Sequence, residues 1–269
     1  MRSTDSVRSP RLLESRRVVT LILVGAFLWS AASVDWSAGI VHGGGLAAVG
    51  DIAVGLLTPN VSLDVLVKAA AGAWRTVAYA VAGLTVALLI GFPLGVLGSG
   101  VLNRSAVARH VNVGVVRGVL ALLRAVHELV WAWLFVAALG LSPMAAVLAL
   151  GLPYGGILGR VYAELLLDVP EAPLRALRSA GASEWEVFWH GRLPMVLPEL
   201  LSYTFYRLEC GVRSAAILSF VGLGGLGFEV QIALADLDFS RAWTFILTLI
   251  ALVLAVDAWS SAVRRKLAV

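Results

Sequence analysis

Ionisable side chains stand deep inside two stretches that are otherwise apolar. Val113 to Leu139 holds Arg117, Arg124, His127 and Glu128, and Val196 to Val221 holds Arg207, Glu209 and Arg213. Arginine carries a planar fork of donors that fits carboxylate, phosphate and related oxyanions. The i,i+4 spacing pairs Arg124 with Glu128 and Glu209 with Arg213. Arg207 is then left uncompensated, and His127 is able to take a proton. The set is basic on balance and favours an anion with several acceptor oxygens. Such groups cost about 2.5–3.5 kcal/mol each at mid-bilayer, so they must face protein or a water-filled cavity. A polar route for a charged solute accounts for the whole set. Ion pairs that hold helices together or fix a subunit interface are the plainer account of any single member. Tyr203 and Tyr206, one turn from Arg207, either add hydroxyl donors or pack.

The elements that position these groups follow from composition. The chain has 269 residues, 59% of them hydrophobic and only 14% charged, with a mean hydropathy of +0.89. A soluble domain averages about 25% charged and 45–50% apolar residues, so a soluble globule and a disordered chain are both excluded. Six apolar runs reach the 17–25 residues that a helix needs to span a bilayer. They are Val18–Val34, Thr76–Gly100, Val113–Leu139, Pro143–Ala163, Val196–Val221 and Trp243–Val263. Alternation with a period of two is absent, which argues against a β-barrel. The expected fold class is all-α: a polytopic membrane protein with six transmembrane helices. The third and fifth spans run in the same direction, so their central charges share a depth. Arg213 falls about 7 Å further outward, and Arg117 about 13 Å inward, at 1.5 Å per residue. Pro93 is expected to kink or loosen the second span.

Charge placement sets the orientation. Arg2, Arg8, Arg11, Arg16 and Arg17 precede the first span, and Arg104 and Arg109 follow the second. Arg160, Arg175, Arg178 and Arg192 surround the fourth loop, and Arg264, Arg265 and Lys266 close the chain. Residues 35–73 instead hold Asp35, Asp51 and Asp64 against Lys68, and residues 222–240 hold Glu229, Asp236 and Asp238 without Lys or Arg. Basic loops face the cytoplasm, which places both termini there and the protein in the cytoplasmic membrane. The net charge of +4 follows from those loops and calls for no nucleic acid. The expected segments are a cytoplasmic segment 1–17, a first transmembrane helix 18–34, an extracytoplasmic loop 35–73 with short helical stretches, and a core domain 74–269. An alternative for the first segment is a secretory signal ending near Ala31-Ala32-Ser33. The single cysteine, Cys210, rules out an intrachain disulfide.

The loop 164–194 has its own structure. Ala172 to Ala180 is helical in character, Gly181 breaks it, and Ser183 with Glu186 has capping-box spacing for a second helix. Leu193-Pro194 is expected to end the segment. Trp185, Phe188 and Trp189 give the second helix an aromatic surface suited either to the membrane interface or to a docked partner.

Arg175-Ala176-Leu177, Gly181, Gly191 and Leu193-Pro194 resemble the EAA loop of ABC importer permeases. The usual form there is Glu-Ala-Ala, three residues, Gly, nine residues, Ile, one residue, Leu-Pro. Arg175 replaces the glutamate and Gly191 the isoleucine, while the glycine and Leu-Pro spacing matches. The stretch SYTFYRLECGVRSAAILSFVGLGGLG, Ser202 to Gly227, is similar to the fifth-span signature of phosphonate-type permeases, as is the run LLRAVHELVWAWLFVAALGLSP. The resemblance covers the chain from about residue 65 onward. It implies a methionine-importer-like permease fold and an ATP-driven importer for phosphonate or a related oxyanion such as phosphite or phosphate. It also implies a second permease subunit, identical or related, an extracytoplasmic binding protein, and two ATPase subunits that hold ATP and Mg. On that basis Arg175, Ala176, Leu177, Gly181, Trp185, Leu193 and Pro194 couple to the ATPase. Arg124, His127, Glu128, Tyr203, Arg207, Glu209 and Arg213 line the route. Gly222, Gly224, Gly225 and Gly227 form an outer loop or gate.

Other motifs carry less. Gly222-x-Gly224-x-x-Gly227 formally fits a dinucleotide fingerprint, but it follows a membrane helix and not a strand, so a tight outer turn is the better description. No P-loop is present, and the chain is not expected to be an enzyme or to hold a cofactor of its own. His42, His110, His127 and His190 show no metal-ligand spacing. A permease for another small solute such as an amino acid, a secondary transporter and a non-transporting scaffold remain as alternatives.

Overall fold

The computed structural model describes residues 16–34, 36, 45–103 and 105–267. Arg2, Arg8, Arg11, Asp35, His42 and Arg104 lie outside the described residues. The chain divides into two compact units, Met1–Asp51 and Ile52–Val269. In the first, α1 (Arg16–Ser33) is apolar and long enough to cross a membrane, and none of its residues is buried. The boundary between the units falls inside α2 (Gly45–Leu57).

The regular elements of the second unit's described residues are all helices. α3 (Leu63–Ser99) runs for 37 residues, about 55 Å at 1.5 Å per residue. The expected outer loop 35–73 therefore yields its last part, from Leu63, to this helix. The Asp64–Lys68 pair at 2.8 Å supports the first turn. Val65 and Ala69 bury against Leu226, Val230, Ala233, Ala242 and Phe245, which gives the extension an apolar reason to stay helical. Pro93 is accommodated within α3.

The expected third span is not one helix. It is broken into α4 (Ala106–Ala125) and a shorter α5 (Glu128–Leu139). Val126 and His127 adopt extended conformations, and the His127 ring accepts a hydrogen bond from the Leu129 N–H at 3.2 Å. A histidine that caps a new helix turns the chain where hydropathy alone reads one continuous run. α6 (Pro143–Leu167) follows, started by Ser142 as N-cap and by Pro143.

Between α6 and the next long helix stand α7 (Glu171–Ser179) and α8 (Glu184–Val187). Gly181 takes φ +90°, the left-handed break expected between them, and Ser183 and Glu186 form the full capping box. Leu193-Pro194 does not end this segment. A π-helical turn, Phe188–Arg192, carries α8 directly into α9 (Leu193–Leu218), where proline is tolerated in the first turn. α9 continues as a 3₁₀ turn, Ser219–Val221, and a bend of 41° leads to α10 (Leu226–Ala235). α11 (Phe239–Leu267) closes the chain. Five helices are long and apolar enough to cross a membrane, and six spans result if the bent pair counts as one.

α3 and α6 lie side by side at backbone distance. A Cβ on Gly91 would sit 2.9 Å from the Gly155 carbonyl oxygen, and one on Gly95 would sit 3.0 Å from that of Gly159. Small residues four apart on both helices allow this approach, the packing mode available where lipid supplies no hydrophobic drive. Leu84, Ala87, Tyr154, Leu158 and Tyr162 fill the core beside this seam.

Candidate translocation site and coupling element

The transmembrane polar groups form a connected chain across three helices. The Ser214 hydroxyl on α9 donates to the Glu128 carboxylate on α5 at 2.8 Å, and the Tyr154 hydroxyl on α6 donates to Ser214 at 3.0 Å. The Arg207 guanidinium lies 5.2 Å from the centre of the Tyr154 ring and 5.7 Å from that of Tyr203. Arg207 Nε also donates to the Tyr203 hydroxyl at 3.3 Å. Among the described residues Arg207 forms no ion pair. Two aromatic faces hold it instead, and cation–π attraction is strongest where water is excluded. Sequence reasoning missed Tyr154 and Ser214, because neither carries charge. Their aromatic and hydroxyl chemistry in otherwise apolar spans was the available signal.

Neither expected i,i+4 pair forms. The helix break separates Arg124, in the last turn of α4, from Glu128, in the first turn of α5, and Glu128 faces Ser214 and His127 Nε2, the latter at 3.7 Å. Glu209 is buried and binds Arg264 of α11. Arg264 had been counted among the C-terminal basic residues. Its side chain points back toward the start of its helix, as helical side chains do, and also reaches Ser260 and Ser261, each at 3.0 Å. Arg213 stays exposed with its guanidinium 3.7 Å from Cys210 Sγ, and Arg124 and His127 are exposed as well. The structure thus joins Glu128, Tyr203 and Arg207 through Tyr154 and Ser214, and sets Glu209 apart.

The segment between α6 and α9 is tied by charges. Arg192 is buried, donates to the Leu166 carbonyl at the end of α6, and pairs with Glu171 at 3.1 Å. Arg178 bridges Glu171 and Glu184, at 3.0 Å each. Its hydrogen bond to Arg178, more than the one to Arg192, holds the Glu171 carboxyl below the usual carboxylate range. Its bonds to Glu184 and Glu171 raise the Arg178 guanidinium still higher. The Ser183 backbone N–H and hydroxyl hold Glu186 low. Phe188 is buried, whereas Trp185 and Trp189 are 58% and 50% exposed. Arg175 and Ala176 lie on the open side of α7. Gly191 has a packing reason: a Cβ there would meet Leu177 at 2.7 Å and Leu174 at 3.0 Å. Beside it, an open groove of about 590 Å³ includes Ala176, Leu177, Gly191 and Pro194.

The opposite end is a tight turn. Gly222, Gly224 and Gly225 take φ of +92°, +76° and +110°, values that favour glycine, while Gly227 falls in the first turn of α10. The Tyr79 hydroxyl donates to the Leu223 carbonyl at 2.9 Å, and the Thr76 hydroxyl accepts from the Leu226 N–H at 3.1 Å. The turn is therefore fastened to α3.

Membrane-length helices, a polar chain with an arginine among them and a charge-tied knob at one end define a transport subunit. Residues 91–269 match the family described as binding-protein-dependent transport system inner membrane component, and the chain belongs to that family. It is a multi-pass permease subunit of an ABC importer. It is 34% identical to the phosphite transport system permease protein PtxC of Stutzerimonas stutzeri over 71% of this chain and 68% of that protein. It is 32% identical to the putative phosphite transport system permease protein HtxC of the same organism, over 97% and 88%. The phosphate-import permease protein PhnE of Mycolicibacterium smegmatis is 32% identical over 72% of this chain and 36% of that protein. Among solved structures, an inward-facing conformation of the MetNI methionine ABC transporter shares the fold. Its TM-score is 0.67 at 22% identity, over 77% of this chain and 99% of that one.

Proposed function

We propose that this permease carries a phosphorus oxyanion, namely phosphonate, phosphite or phosphate, into the cell. The observation that carries the proposal is Arg207, held between Tyr154 and Tyr203 without an ion-pair partner among the described residues. An oxyanion supplies the missing acceptors, and the names of the three relatives favour phosphorus chemistry over other anions. Arg124, Arg213 and His127 extend the basic surface on the same spans, and Glu128 orients Ser214 and Tyr154. Glu209 steadies the route through Arg264 and does not touch the solute.

Both termini face the cytoplasm, so the knob between α6 and α9 points inward. A second permease subunit completes the passage, a binding protein delivers the anion from outside, and two ATPase subunits that hold ATP and Mg hydrolyse the nucleotide. These ATPase subunits dock on Trp185, Trp189 and the groove at Ala176, Leu177 and Pro194. Movement of α7 and α8 reaches α6 through Arg192 and reaches α9 through continuous helix. The bistable element is the helix arrangement around Arg207, whose exposure alternates between the two sides.

Uptake of radiolabelled phosphite, phosphate and methylphosphonate by proteoliposomes holding the assembled importer tests this. Arg207→Ala is expected to lower uptake about 10- to 100-fold, the loss of one charge-assisted hydrogen bond, with assembly intact and Arg207→Lys recovering part. Unchanged uptake by Arg207→Ala would reduce the arginine to scaffolding.

A further inference from the structure

Where α3 ends and α4 begins, a cavity of about 560 Å³ opens beside the inner end of the spans. Arg109, His110 and Arg117 line it, and its lining includes no carboxylate among the described residues. Arg117 Nε donates to the Gly98 carbonyl at 3.2 Å, which fixes the guanidinium and leaves its two Nη groups uncommitted among the described residues. Arg109 makes no ion pair or side-chain hydrogen bond among the described residues, and its aliphatic stem lies on Gly100.

The cavity shares Ser99, Arg109 and Leu167 as a wall with a second, of about 520 Å³, under the coupling knob. There the side-chain nitrogen of Asn103 is buried without a partner among the described residues. The carboxylates of that second cavity, Glu171 and Glu184, are already engaged by Arg178. On another face of α4, turned away from the cavity, Val107, Val111 and Val115 stand exposed one turn apart, as suits a face in contact with lipid. A basic concavity at the inner end of a span matches the anionic head of a phospholipid.

We propose that this cleft binds an anionic phospholipid of the inner leaflet, with its phosphate on Arg109 and Arg117. The proposal rests on the inward orientation given above. It adds a lipid contact that touches the coupling knob through the shared cavity wall.

Native mass spectrometry of the full chain, stripped of lipid in detergent and titrated with phosphatidylglycerol, phosphatidylcholine or inorganic phosphate, tests it. One phosphatidylglycerol is expected to stay bound, with phosphatidylcholine at least tenfold weaker and inorganic phosphate failing to displace the lipid. Arg109→Ala removes a side chain with no partner to lose, and Arg117→Gln keeps a donor for the Gly98 carbonyl. Each is expected to weaken phosphatidylglycerol about fivefold. Arg265→Ala, an exposed arginine at the end of α11, is expected to change nothing. Equal retention of both lipids, displacement by phosphate alone, or variants that bind as the natural chain does would each overturn the proposal. The measurement uses neither solute nor ATPase, so a negative result leaves the transport function standing.

Discussion

Glu209 and Arg264 provide a quantitative test of how charge is carried inside this bundle. Glu209→Gln removes the anion and leaves Arg264, whose side chain is 24% exposed and keeps hydrogen bonds to Ser260 and Ser261. Breaking a buried pair costs about 3–5 kcal/mol when the survivor has nowhere to turn. Arg264 has partial solvation and two hydroxyl acceptors, so a loss of about 2 kcal/mol is expected. Arg264→Met is worse. It strands a carboxylate whose side chain is only 7% exposed, and a loss of about 3–4 kcal/mol is expected. The double variant Glu209→Gln/Arg264→Met removes both charges and is expected to lie within about 1 kcal/mol of the natural chain. Unfolding in mixed micelles, titrated with dodecyl sulfate, gives the four free energies of the cycle. Additive single losses would mean that the two side chains do not stabilise one another, and the assignment of Glu209 away from Arg213 would fail with them.

Two further outcomes concern the coupling knob. Glu171 sits below the usual carboxylate range, so its ion pairs stabilise the fold above that range and are lost as pH falls through its lowered value. The gap in melting temperature between the natural chain and Glu171→Gln is expected to be open at pH 7 and to close below about pH 4; a gap independent of pH would refute the linkage. Gly191→Ile, the residue usual in the related loop, is expected to destabilise by about 1–3 kcal/mol through overpacking against Leu174 and Leu177. A thermal shift within error would show that the two leucines move aside.

The spans were legible because long apolar runs have few other solutions, and the knob was legible because Gly181, Ser183 and Glu186 act through local backbone geometry. The break at Val126–His127 was not. A window of hydropathy averages over two extended residues, and a histidine cap looks like one more polar side chain. That single omission also misdirected the pairing of Arg124 with Glu128, since an i,i+4 rule presumes an unbroken helix. Glu209 with Arg264, and Tyr154 with Ser214 and Glu128, join residues 55, 60 and 86 positions apart. Separations of that kind are set by how helices assemble and leave no periodic trace in one sequence.

The seam of touching backbones along α3 and α6 has a mechanical consequence. With Gly91 against Gly155 and Gly95 against Gly159, neither helix has a side-chain cushion in which to slide or roll. The two must travel as a single strut whenever the subunit changes shape. Rearrangement is then left to the joints beside it: the uncoiled residues between α4 and α5, and the glycine elbow between α9 and α10. A bulkier residue at either seam glycine would wedge the strut open and displace Tyr154, which rides on α6, without altering any charged residue.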